Sequence, residues 1–178
     1  MSQNALSVNP LFPPTQVVQQ LKSGQIFYVK ASPNNGVLIL HPHYTEVVGP
    51  EAAVGGILDL DCARLIPLGK VALTYPESLQ RKRDTFLNRR KWIVATKKAV
   101  NDPVPLRRAK IILVMMSRYF GYKRVQSLED EVLASIVGVL PQTMAFARQN
   151  FRPPKPKARS HNVSEQTSDQ QSRIVSQG

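Results

Sequence analysis

The sequence predicts an α+β protein: a small N-terminal antiparallel β module, a basic and wholly helical C-terminal region, and a disordered tail. Three observations predict it. Runs of β-branched and aromatic residues separated by turn signals continue to residue 74. From residue 77 the apolar spacing becomes helical. After Phe151 the chain turns polar and proline-broken, with nothing to bury. These transitions divide it into a flexible N-terminus (1–13), a β-rich module (14–75), a helical region (76–151) and a tail (152–178).

Each element has its own signal. Pro14–Ser23 reads as a short helix, with Val17, Val18 and Leu21 on one face and Gly24 as its stop. Gln25–Ala31 and Val37–His41 read as strands around Asn34-Asn35-Gly36, which supplies positive-φ residues for a tight turn. Tyr44–Val48, Val54–Leu60 and Arg64–Thr74 add three more. Tyr75-Pro76-Glu77 starts a basic helix that runs to about Val100, with proline at its first position. Leu79, Phe86, Ile93 and Val100 recur every seven residues with Leu87 and Val94 beside them, so they are expected to form its buried stripe. Asp102 caps a second helix over about 103–120, apolar nearly all round in its IILVMM run and therefore the central core helix. Gly121 ends it. Ser127 caps the first of two further short helices, with acids at its positive end.

Composition narrows the function classes. A hydrophobic content of 42% supports a real core. The longest purely apolar run, Ile111–Met116, is far short of the roughly 20 residues that span a bilayer. Pro10, Pro13 and Pro14 interrupt any signal-peptide core. Cys62 is the only cysteine, which excludes an internal disulfide framework and fits a reducing, cytoplasmic location. The net charge of +12 is concentrated. Residues 64–124 hold sixteen basic side chains against three acidic, whereas residues 1–63 hold two against four. Such a field attracts polyphosphate backbones and gains free energy by counterion release.

The segment from Asp130 to Gln149 carries the most specific pattern. Ala134 is a small residue where two helices cross, and Gly138, four positions on, suits a left-handed turn. Leu133, Val137, Val139, Met144 and Ala147 are spaced to hold a helix pair at a steep angle, and Pro141 suits a first helical turn. This stretch resembles the helix-turn-helix of bacterial transcription regulators such as the catabolite-activator-like family. Leu140 stands where a capping serine or threonine is commoner, and no strand-forming wing follows. The resemblance implies a regulator of duplex DNA, with the helix at 103–120 as the supporting first helix of a three-helix unit. Gln142, Thr143, Arg148 and Gln149 would then lie on the recognition helix, reading bases or meeting phosphate.

Phosphates would be held by the basic helix, through Arg81, Lys82, Arg83, Arg89, Arg90, Lys91, Lys97 and Lys98, and by Arg107, Arg108, Lys123 and Arg124. A helical wheel puts Trp92 opposite the apolar stripe, among cations, where an indole stacks on a base or sugar or packs on the β module. His41 and His43 flank Pro42. With Asp59, Asp61 and Cys62 at no convincing ligand spacing, they read as surface histidines and no metal or cofactor is expected. No catalytic constellation or phosphate-binding loop stands out, so the reading is a non-enzymatic DNA-binding regulator, compatible with a homodimer and without integral membrane association. Its rivals are an interaction or assembly module whose basic face docks on an acidic partner or membrane surface, and an RNA-binding protein.

Overall fold

The structure, a computed structural model, describes residues 6–8 and 14–152. Most of the expected flexible N-terminus and nearly all of the expected tail lie outside those residues. The α+β layout is as the sequence predicts. Strands β1 (Leu6–Val8), β2 (Ile26–Val29), β3 (Gly36–Leu40), β4 (Thr45–Val48), β5 (Ala53–Gly55), β6 (Arg64–Leu68) and β7 (Val71–Thr74) are interrupted by helix α1 (Pro14–Lys22). Helices α2 (Leu79–Val100), α3 (Pro105–Phe120), α4 (Tyr122–Gln126), α5 (Asp130–Val137) and α6 (Pro141–Gln149) follow.

All strand pairs are antiparallel, in two sheets ordered β1-β7-β2-β5 and β4-β3-β6. The three-stranded sheet is covered on both sides. Val37 and Ile39 of β3 enter a core with Phe27, Val54, Leu73 and α1, whereas Leu38 between them enters a second core with α3, α5 and α6. That double burial explains why β3 is a continuous apolar run rather than an alternating one. Trp92 packs against both cores and is the hinge of the architecture. Gly49 makes room for it, since a Cβ there would stand 1.9 Å from Trp92 Cζ2.

Several boundaries differ from the sequence reading. The expected strand at 54–60 stops at Gly55, because Gly55 and Gly56 have φ of 88° and 64° and turn the chain into a 3-10 turn at Gly56–Leu58. Arg64–Thr74 divides into β6 and β7 at Gly69-Lys70. β1 has no local pattern and exists through pairing with β7, Leu6 opposite Leu73. Helix α2 begins at Leu79, not at Pro76, because the Ser78 hydroxyl accepts from the Arg81 amide at 3.0 Å. Ser127 does not cap α5; its hydroxyl donates to the Arg124 carbonyl and closes α4, a helix the sequence reading lacks. Asp102 bonds the Val104 amide ahead of α3, and Gly121 ends α3.

The largest difference is the rotation of α2. Leu79, Leu87, Ile93, Val94 and Val100, most of the expected buried stripe, are exposed. Thr85, Arg89, Thr96 and Ala99 are buried instead, with Trp92 on the same side. The surface beneath α2 offers Glu46, Asp59 and the Ala53 carbonyl, all acceptors, and Arg89 satisfies them. Polar complementarity to the β module therefore sets the helix rotation against its own apolar periodicity. Helix α3 takes the expected central place, packed against α2, α4, α5 and α6. Among the described residues no helix is long and apolar enough to cross a membrane.

Candidate nucleic-acid interface

Helices α3, α5 and α6 pack mutually as a three-helix unit. Between α5 and α6, Gly138 is left-handed, with φ 59° and ψ 52°, and the amides of Gly138 and Val139 both return to the Ala134 carbonyl. Ala134 is buried, and Leu133, Val137, Met144 and Ala147 are fully buried in the same core. These are the positions the spacing singles out, except that Val139, expected with them, is only half-buried. Leu140 caps α6 without a side-chain bond and is exposed. Gln142, Phe146 and Gln149, spaced at i, i+4 and i+7, form the outward face of α6, while Thr143 is half-buried.

Arg148 does not join that face. Its guanidinium donates to the carbonyls of Gln126 at 3.2 Å and Leu128 at 2.9 Å, tying the end of α6 to the link between α4 and α5. Its Nε also lies 3.0 Å from Asp130 Oδ1, an ion contact without hydrogen-bond alignment. The expectation that Arg148 meets bases or phosphate is corrected: half-buried carbonyls at the loop have claimed its donors.

The expected phosphate-binding cations separate into two groups. Lys82, Arg83, Arg90, Lys91, Lys97 and Lys98 are exposed along α2, and Lys123 on α4. Exposed Lys110 and Arg118 on α3 belong with them, although isolated cations in an apolar helix carry no sequence signal of their own. The rest, except Arg108, are engaged. Arg81 pairs with Glu51 at 2.6 Å and lies over the Tyr28 ring. Arg107 pairs with Asp102 but stays exposed, and Arg108 is half-buried. Arg124 donates to the carbonyls of Asn34 and Phe120. Arg89 is 2% exposed and cannot reach a phosphate. Trp92 sits against Tyr119 and Phe120 at ring separations of 4.8 and 5.5 Å, so it packs on the protein and not among the cations.

A groove of about 520 Å³ lies between α2, the β module and the end of α5. Its walls are Ile93, Lys97 and Val100 of α2, Tyr44 and Glu46 of the β module, and the end of α5 as far as Gly138. The turn before α6 and Lys97 of α2 thus border one depression. Beside Arg90, Lys91 and Lys98, α2 also exposes Leu87, Val94 and Ala95 along a shallow second hollow.

Under α2 lies a polar cluster that sequence spacing hides. Arg89 donates through Nε and Nη2 to Glu46 and through Nη2 to Asp59 Oδ1 at 2.9 Å. Burial works against its charge, but the two carboxylates outweigh that and hold the guanidinium more firmly protonated than usual. Asp59 also accepts from the Gly55 amide. His41 is buried, unlike the surface residue expected, and stacks on Tyr44, whereas His43 is exposed. The loop after the 3-10 turn folds back under β3, which is what removes His41 from solvent. Comparison with protein-family models, curated proteins and solved structures found no significant match.

Proposed function

We propose that the protein binds duplex DNA, with α6 as the base-reading helix and α2 as the phosphate-binding helix of a transcription regulator. The observation that carries this reading is the left-handed Gly138 turn of a three-helix unit, which shares a groove with Lys97 of α2. Gln142 and Gln149 suit bidentate pairing with adenine, and Phe146 suits the thymine methyl group. Lys82, Arg83, Arg90, Lys91, Lys97 and Lys98 supply sequence-independent attraction. If those six each neutralise one phosphate, log affinity falls with log salt at a slope of about −5. Anisotropy titrations of labelled duplex at several salt concentrations test it. Affinity independent of salt, or no binding at low salt, overturns it.

A second reading has its own support. Leu87, Ile93, Val94 and Val100 are exposed among the α2 cations, and phosphate contact does not call for apolar side chains. An acidic partner with apolar anchors would use both. That reading predicts that Leu87→Ser with Val94→Ser abolishes partner binding and leaves DNA affinity unchanged.

A further inference from the structure

His41 follows β3, Glu46 lies on β4, and Asp59 and Asp61 flank the loop after the 3-10 turn. The His41 side chain is fully buried, with Nδ1 2.6 Å from Asp61 Oδ1. An ionised carboxylate only accepts, so Nδ1 carries the proton and Nε2 of a neutral ring is left with its lone pair. Nε2 is buried, has no hydrogen-bond partner and lies 3.7 Å from Asp59 Oδ1. An acceptor thus faces an acceptor with both side chains buried, which is unfavourable unless something positive sits between them. Arg89 bonds the carboxylates, but no bond from it to His41 occurs among the described residues. The local charges lean negative, since Glu46, Asp59 and Asp61 stand against Arg89 and an exposed Lys22 that acts on Asp61.

We propose that His41 Nε2, Asp59 and Glu46 bind a divalent transition-metal ion of the zinc class, with Asp61 as the positioning residue that fixes the imidazole. One ligand atom from each of the three lies within 4.8 Å of the others. Tetrahedral zinc at its usual bond lengths sets ligand atoms about 3.4 Å apart, so the 3.7 Å approach of His41 to Asp59 needs a few tenths of an ångström of closure and the 4.8 Å spread of the whole set needs up to about 1.4 Å. A carboxylate behind a ligating histidine is the usual second partner of such sites. The nitrogen-plus-carboxylate set favours zinc or manganese over magnesium or calcium, which take oxygen alone. Each carboxylate oxygen has two lone pairs, so the bonds to Arg89 leave capacity for an ion. Glu46 also lines the groove beside α2, which provides the way in. A divalent ion offsets the acidic excess of the cluster and ties the β3–β4 hairpin and the 3-10 loop to the ground on which α2 rests.

The test uses the full chain, stripped with chelator and titrated with zinc chloride by calorimetry and by thermal melting. One equivalent should bind and raise the melting temperature, and chelator should reverse it. His41→Gln should abolish this uptake, Asp61→Asn should weaken it by about 10- to 100-fold, and His43→Gln should leave it intact. Because His41→Gln alters a buried side chain and puts the fold itself at risk, nitrogen-15 NMR of the unaltered protein gives an independent readout: the His41 Nε2 resonance should shift on zinc addition. No saturable uptake of zinc or manganese overturns the proposal. So does uptake unchanged in His41→Gln, or a His41 ring that carries protons on both nitrogens and ignores zinc, the case in which a proton fills the gap.

Discussion

Arg89 and Asp59, thirty residues apart in sequence, meet in a fully buried ion pair of 2.9 Å that decides which face of α2 turns inward. Removing one partner leaves the other charge buried and unpaired, which costs about 3–5 kcal/mol. Arg89→Ala should therefore be strongly destabilised in denaturant titrations. Arg89→Lys should recover only part of the loss, since an ammonium lacks the planar fork that serves two carboxylates. Arg89→Met combined with Glu46→Gln and Asp59→Asn should lie well above Arg89→Ala, because no uncompensated charge remains.

This pair also shows where the sequence is legible and where it is not. Periodicity identifies α2 as a helix, because 3.6-residue spacing is local. It misjudges the helix rotation, because the acceptors that draw Arg89 inward come from β4 and the 3-10 turn, and nothing within α2 announces them. The β module is legible in outline because its turns are written in Gly, Asn and Pro, but β1 is not, since its only cause is a distant edge of β7. In the candidate interface, Ala134 and Gly138 are recognisable from spacing, whereas the inward turn of Arg148 depends on carbonyls at Gln126 and Leu128 that no pattern marks. His41 is missed for the same reason as Arg89.

Trp92 is the only tryptophan and reports on the junction of the two cores. Its emission should be blue-shifted relative to a solvent-exposed indole and should not be quenched by added duplex DNA, since it stacks on Phe120 and not on bases. Gly49→Ala should disturb it, because the added methyl group would overlap the indole; the expected loss is about 1–3 kcal/mol or more. Strong quenching by nucleic acid would show instead that Trp92 is part of the binding surface.

Cys62 is fully buried, and burial pushes its thiol up to about 11. A free thiol in the unfolded chain titrates near about 8.5. The folded state thus holds the proton more tightly, and the unfolded state loses it first as pH rises. Stability attributable to Cys62 is fully present below the unfolded value and declines with rising pH until the folded value is passed. Native protein should resist alkylation at neutral pH and react at the rate of unfolding. Cys62→Ala should soften the decline of melting temperature on the alkaline side; an unchanged alkaline limb would show that other groups set it.

The last prediction separates base reading from helix packing in α6. Gln142 and Gln149 are exposed, so Gln142→Ala and Gln149→Ala should leave the melting temperature nearly unchanged and cost about 1–3 kcal/mol of discrimination between DNA sites. Arg148→Ala should do the reverse. It removes donors from the Gln126 and Leu128 carbonyls and lowers stability, while sequence preference stays as it was. Arg90→Ala should weaken binding to all sequences alike and make the salt slope shallower by about one unit. Gly138→Ala adds a structural control. No neighbouring atom lies where its Cβ would go, so any loss comes from the left-handed backbone alone, about 1–2 kcal/mol. Binding and stability measured on the same five variants decide the matter. If Gln142→Ala and Gln149→Ala change neither affinity nor preference while Arg90→Ala still weakens binding, α6 is a packing helix and the basic face of α2 acts without base recognition.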